Sequence, residues 1–323
     1  MTPLEKKLEL RQIINQQLLS LIDSNYVYLE LPYYENIGDT LIWEGTLQFL
    51  KQIKYKCLYS ASLTTYYKHD LPKDTLILLQ GGGNFGDLWN IHHEFRKKII
   101  DLHPQNKVII FPQTVWYENS ENIKKDEIFF AQHPNVTMCA RDKVSYSFMK
   151  EHFHQNEILL VPDMAFFIDF ENYGKISNKT NGKILYAKRL DKELKTDVTP
   201  RFIPAKAEIH DWPTFERKAT KYAFADYIVG WLNFFANIKG IKPINKLIDF
   251  IRYHFYRPQY LKDCIDFINQ YDTIYSTRLH IAIASAMMGK IVYLMDNSYG
   301  KNFSFYDSWL TNEGNVEKKC INH

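Results

Sequence analysis

Arg278 and His280 stand two residues apart in Ser276-Thr277-Arg278-Leu279-His280, between a run of strand formers and a run of small apolar residues suited to a helix. A helix start offers free N–H groups and the positive end of the helix dipole, so side chains gathered there favour an anion. Arginine clamps a phosphate or carboxylate with a fixed fork of donors, and histidine moves a proton near neutral pH. Three further turns invite the same reading. In Ala140-Arg141-Asp142, Arg141 either aims a bidentate donor into a cleft or pairs with Asp142 at the surface, and Asp142 is placed to cap the next helix. In Asn36-Ile37-Gly38-Asp39-Thr40, Asp39 is expected as a helix N-cap, with or without a second role as a base or hydroxyl acceptor. Gly81-Gly82-Gly83-Asn84-Phe85-Gly86 fits the spacing of a dinucleotide fingerprint. The next strand ends at Phe111-Pro112-Gln113-Thr114, without the carboxylate that fingerprint needs, which leaves a tight turn or a close backbone approach to a ligand.

The elements that must carry these turns alternate between strand and helix. Apolar strand runs are expected at 26–31, 74–80, 107–111, 135–140 and 158–161, with helices at 40–52, 89–102 and 142–152. Short continuous apolar strands alternating with helices imply a parallel sheet covered on both faces. The polar, turn-rich stretch 172–182 reads as a linker. Beyond it a second α/β unit is expected, with strands at 183–187, 271–276 and 291–294, a mostly helical stretch over 215–270 and a helix at 279–288. The fold class is therefore α/β, with two Rossmann-like domains facing a cleft: 1–175, then 183–310 with a helical insert, then a polar tail at 311–323. In such sheets ligands sit at the carboxyl ends of strands, where all four turns lie.

Composition narrows the function. Of 323 residues, 46% are apolar and 24% charged, enough to bury a core and too apolar for disorder. The net charge is only +3, which argues against a dedicated nucleic-acid binder. Cys57, Cys139, Cys264 and Cys320 are scattered without a C-x-x-C pair, so neither a zinc site nor a disulfide framework is expected, and the reading is a soluble, cytoplasmic protein. No metal site is expected, and the remaining histidines read as surface or local hydrogen-bonding residues. One region departs from this balance. Residues 217–262 carry nine Lys or Arg against Asp226 and Asp249, interleaved with aromatic residues. Two readings stand: a helix lying on the inner face of a membrane, or a buried helix with a solvated basic flank.

Taken in order, these turns resemble those of the polysaccharide pyruvyl transferase family. The resemblance rests on Asn36-Ile37-Gly38-Asp39, Leu79-Gln80-Gly81-Gly82-Gly83-Asn84, Phe111-Pro112-Gln113-Thr114, Arg141-Asp142 with Ser145, Pro162-Asp163-Met164-Ala165 and Thr277-Arg278-Leu279-His280. It implies a fold similar to the glycosyltransferase-B architecture and transfer of the pyruvyl group of phosphoenolpyruvate onto a sugar of a surface polysaccharide, usually as a cyclic ketal. By that resemblance Arg141, Arg278 and His280 fall on positions used around phosphoenolpyruvate, Asp39 on an acidic position of the first turn and Lys301 on a downstream basic position; Arg141, Arg278 and Lys301 are the expected donor-binding residues, and His280 and Asp39 the candidate acid and base. Asn36, Gly38, Gly82, Gly83, Asn84 and Gln113 are expected to line the cleft. Phosphoenolpyruvate is a co-substrate, no cofactor is expected, and the acceptor is a sugar or oligosaccharide, free or lipid-linked. The rival readings are a nucleotide-sugar glycosyltransferase of the same architecture and a non-catalytic ligand-binding protein.

Overall fold

A computed structural model describes residues 1–67, 70–177, 180–191, 193–216 and 242–320, together with 228, 230 and 231. Two sheets organise them, and every strand pairing in both is parallel. The first contains β1 (Tyr26–Leu29), β2 (Cys57–Ala61), β3 (Leu76–Leu79), β4 (Gly82–Gly86), β5 (Val108–Trp116), β6 (Val136–Ala140) and β7 (Glu157–Leu160). Its order is β2-β1-β3-β5-β6-β7, with β4 beside β5. The second holds β8 (Ile184–Ala187), β9 (Glu208–His210), β10 (Thr273–Ser276), β11 (Ile291–Leu294) and β12 (Val316–Lys318), in the order β12-β11-β10-β8-β9. The chain is thus α/β with parallel sheets.

The inner strands β1 and β3 and the first half of β5 are apolar because both faces of the first sheet are covered there. Val27, Leu29, Ile77, Leu79, Val108 and Ile110 belong to one buried cluster, and their neighbours Tyr26, Tyr28, Leu76, Leu78, Ile109 and Phe111 to another. That second cluster continues without interruption into Leu185, Ile274 and Val292 of the second sheet. Helices α1 (Pro3–Leu18), α2 (Ile37–Leu50), α3 (Asn90–Leu102), α4 (Ser120–Ala131) and α5 (Lys143–His152) accompany the first sheet. A short helix α6 (Pro213–Glu216), then α7 (Lys242–Ile251), α8 (Arg257–Ile268), α9 (Leu279–Met287) and α10 (Lys301–Trp309) accompany the second.

Four expectations need correction. Asp39 does not cap α2. Asn36 does, its Oδ1 accepting the Gly38 N–H at 2.9 Å, while Asp39 sits in the first turn and its Oδ2 accepts from Asn36 Nδ2 at 2.7 Å. The glycine run is not a tight turn: Gly82–Gly86 forms the strand β4, and α3 begins at Asn90, within a residue of its expected start. Gly86 is needed there because its φ is +104° and a Cβ would stand 2.0 Å from the Trp116 carbonyl oxygen. The tail expected from 311 contains a strand: Val316–Lys318 pairs with β11 and Val316 is buried, an element too short to show a sequence period. Finally, the histidines are not all peripheral. His93 is buried, with Nε2 2.6 Å from Asp126 Oδ2, and His92 Nδ1 lies 3.0 Å from Glu30 Oε1. About half of the basic, aromatic stretch, including Arg217, Lys218, Lys221 and Lys239, lies outside the described residues. Among the described residues no helix is long and apolar enough to cross a membrane.

One contact fixes α2. A Cβ on Gly45 would stand 1.8 Å from the Met164 carbonyl oxygen, so helix α2 lies directly on the 3-10 turn Met164–Phe167. Gly45→Ala forces that backbone contact apart. Overpacking of this kind costs about 1–3 kcal/mol. Urea unfolding is expected to show a lower midpoint with an unchanged slope.

Candidate functional site

The carboxyl ends of the strands deliver the predicted residues to one cavity of about 470 Å³. Asn36, Gly38 and Asp39 reach it from the turn after β1 and the start of α2, and Gly83 and Asn84 from β4. Arg141 comes from the turn after β6, Arg278 and His280 from the turn after β10 and the start of α9, and Lys301 from the start of α10. Two expected lining residues are absent from it. Gln113 is fully buried, with Nε2 donating to the Gln80 carbonyl at 2.7 Å, so it braces the end of β3. Gly82 turns the chain at φ +152° behind Asp39. A second cavity of about 380 Å³, among Tyr26, Trp43, Tyr59 and Tyr253, has no charged side chain in its wall among the described residues.

Asp163 joins the two sheets at the cavity floor. It follows β7, caps the 3-10 turn by accepting the Ala165 N–H at 2.9 Å, and is 1% exposed. Its Oδ2 accepts from Arg141 Nη1 at 2.8 Å and faces His280 Nε2 at 3.2 Å. Burial alone would raise its pKa, but His280 and Arg141 together hold the carboxyl well below the usual carboxylate range. Arg141 is fixed further by Nε donating to Thr114 Oγ1 at 2.8 Å. Its Nη2 has no hydrogen-bond partner among the described residues and lies 2.9 Å from where a Cβ on Gly83 would stand. Lys301 Nζ is 3.6 Å from the same point, so the bare backbone at Gly83 is what leaves these cations open to the cavity. Gly38 serves His280 likewise, its missing Cβ falling 3.0 Å from His280 Nδ1.

A chain of ion pairs lines the opposite wall. Arg278 donates from Nε and Nη2 to both oxygens of Asp211 at 2.8 and 2.5 Å, and from Nη1 to Asp191 at 2.7 Å. Its guanidinium also lies 4.8 Å from the Phe215 ring centre. Arg189 pairs with Asp191 at 2.8 Å and with Glu193 at 2.8 Å, and Glu193 in turn accepts from Lys301 Nζ. Burial, reinforced by Arg189 and Arg141 and opposed by Glu193, lowers the Lys301 pKa to about 8. Asp39 accepts from Tyr34 OH at 3.0 Å, and Tyr34 packs edge-on against His92, which also lines the cavity. Among the described residues no group of three or more His, Cys, Asp or Glu side chains is arranged to hold a metal ion.

Sequence reasoning missed Arg189, Asp191, Glu193 and Asp211, which follow β8 and β9. The cluster Lys188-Arg189-Leu190-Asp191 directly after a strand was the available signal. His92 was missed because its carboxylate partner, Glu30, is distant in sequence and stands at a left-handed φ of 69° that no pattern reports.

Comparison with known proteins decides the family. A family model described as polysaccharide pyruvyl transferase matches residues 36–299. The chain belongs to the polysaccharide pyruvyl transferase family. A relative in Bacillus subtilis (strain 168), putative pyruvyl transferase EpsO, is 30% identical over 318 residues, covering 96% of this chain and 94% of that protein. Pyruvyl transferase 1 of Schizosaccharomyces pombe is 28% identical over 292 residues, covering 86% and 68% respectively. The fold is shared with a solved structure of an uncharacterised Klebsiella pneumoniae protein, with a TM-score of 0.62 at 19% identity, covering 98% of this chain and 97% of that one. The matched span runs from the cap of α2 to the turn before Lys301 and so contains all but one of the predicted site residues.

Breaking a buried ion pair on one side costs about 3–5 kcal/mol. Asp163→Asn is therefore expected to destabilise the protein by about that amount at pH 7, because Arg141 is left buried beside a neutral amide. The folded-state pKa of Asp163 is depressed, so its contribution is present above the unfolded carboxyl value and is lost as pH falls through the folded one. Unfolding curves of wild type and variant are expected to converge only in strong acid.

Proposed function

We propose that this member of the family moves the pyruvyl group of phosphoenolpyruvate onto a sugar of a surface polysaccharide or its lipid-linked precursor and releases phosphate. The observation that carries the reading is the pairing at Gly83, where Arg141 Nη2 and Lys301 Nζ both open onto a cavity that also holds His280. A small multiply charged anion suits two separated cations in a buried setting. The two parallel sheets would act as the halves of a glycosyltransferase-B-like cleft, with the donor between their strand ends.

In the proposed reaction Arg141 and Lys301 hold the phosphate and carboxylate of the donor. Arg278 has three of its five N–H groups on Asp211 and Asp191, which leaves two for the donor. His280, oriented by Asp163 through Nε2, delivers a proton from Nδ1 to the vinyl carbon, and the adjacent carbon becomes electrophilic. A sugar hydroxyl, positioned by Asp39, attacks that carbon and gives up its proton. The C–O bond to phosphate then breaks, and a second hydroxyl of the same sugar closes the ketal. Of the two hydroxyl protons, one restores His280 and the other leaves with phosphate, so the donor and a diol become a ketal and inorganic phosphate.

Phosphate release from phosphoenolpyruvate with a panel of sugar acceptors tests the reading. His280→Ala is expected to lose about 10²–10⁴-fold in kcat, the range of a general acid. Gly83→Ala is expected to raise the donor KM by about tenfold or more, as a charge-assisted hydrogen bond is worth about 1.5–3 kcal/mol. Because the Lys301 ammonium is lost above about pH 8, kcat/KM for the donor is expected to fall there. Lys301→Arg, permanently charged, is expected to remove that fall. Full activity in both alanine variants, or stabilisation by a nucleotide sugar and not by phosphoenolpyruvate, would overturn the assignment.

A further inference from the structure

Glu193 has one oxygen among more donors than that atom can satisfy. Its Oε2 accepts from Asn297 Nδ2 at 3.2 Å, Tyr299 OH at 3.1 Å and Lys301 Nζ, and forms an ion pair with Arg189 Nη1 at 2.8 Å. Its Oε1 takes the Trp89 indole N–H at 3.3 Å. A carboxylate offers about four lone-pair sites shared over two oxygens, so three hydrogen-bond donors and a second cation on one oxygen exceed what that atom accommodates. The donors are also held by groups other than Glu193. Arg189 is gripped by Asp191, Tyr299 stacks on Trp116 with ring centres 4.7 Å apart, and buried Asn297 accepts the Lys301 backbone N–H at 2.9 Å. They form a preorganised receptor for an anion.

We infer that these donors are the substrate's carboxylate-binding site, and that in the free protein the side chain of Glu193 fills it in the substrate's place. The inference rests on the proposed donor. The position supports it: Lys301 joins the nest to the opening at Gly83, beyond which lies Arg141 Nη2. A ligand with two anionic groups on one carbon can span from the nest to Arg141, whereas Glu193, tethered to the loop between β8 and β9, presents only one. Exchange of an internal carboxylate for a substrate one also conserves charge in a buried site, where an uncompensated anion is costly. The residue thereby sets specificity: a ligand with one weakly held charge fails to displace it, and one with two succeeds.

The test is calorimetric binding of phosphoenolpyruvate, pyruvate and inorganic phosphate at pH 6.5, where Lys301 is charged, to wild type, Glu193→Gln and Glu193→Asp. Glu193→Gln removes the competing charge, and Glu193→Asp draws it back from the nest by one methylene. Both are expected to bind phosphoenolpyruvate about tenfold more tightly than wild type, and pyruvate is expected to gain measurable affinity. Weaker or unchanged binding of all three anions overturns the inference and identifies Glu193 as a group that only positions Lys301. If Glu193→Gln does not fold, Glu193→Asp decides alone. Tighter pyruvate and phosphate binding in the variants, together with no turnover of phosphoenolpyruvate by wild type, would keep the site and reject the proposed donor. Turnover by wild type with weakened variants would do the reverse.

Discussion

A single buried carboxylate, Asp163, holds together groups that the chain supplies 139 residues apart, from Arg141 after β6 to His280 at the start of α9. Without it a guanidinium would be buried alone, and the imidazole on the second sheet would lose its orientation. With it, the positive charge of the cavity floor is fixed in place before any ligand arrives. Preorganisation of this kind is what electrostatic catalysis requires, since donors that need no rearrangement are worth more in a water-poor site.

Close packing transmits that constraint. Helix α2 can approach the turn carrying Asp163 only because Gly45 has no side chain, and the start of the same helix can approach His280 only because Gly38 has none. Gly83 performs the complementary service by exposing Arg141 and Lys301 instead of covering them. Three glycines therefore act through absence: one seats a helix, one leaves room for His280 and one leaves Arg141 and Lys301 uncovered. The opposite wall works differently. There each cation already has a carboxylate, in the sequence Asp211, Arg278, Asp191, Arg189, Glu193, Lys301, so that wall is neutralised from within.

Much of this was legible in the sequence, for a physical reason. Parallel strands buried on both faces must be apolar throughout, so they stand out, and the residues after their ends are where such folds place chemistry. Arg141, Arg278, His280 and Asp142, which caps α5, were found in that way. What stayed hidden depended on pairing across long sequence separations or on elements too short to show a period. Asp163 lay within a recognised turn, yet nothing local distinguishes a capping aspartate from one that bridges two sheets. Asp211 follows a strand of only three residues, and Glu193 lies in a loop whose partners come from β8, β11 and α10. The assignment of Asp39 as the cap failed because Asn36, three residues earlier, offers the same chemistry at the position the extended backbone selects.

We propose that the Asp163-braced Arg141, together with Lys301, anchors the anionic donor. A crystal structure with phosphoenolpyruvate bound is the decisive measurement. Donor oxygens are expected within hydrogen-bond distance of Arg141 Nη2 and Lys301 Nζ beside Gly83, with the Arg141–Asp163 pair intact. A donor seated away from both cations, or a broken Arg141–Asp163 pair in the bound state, would contradict it.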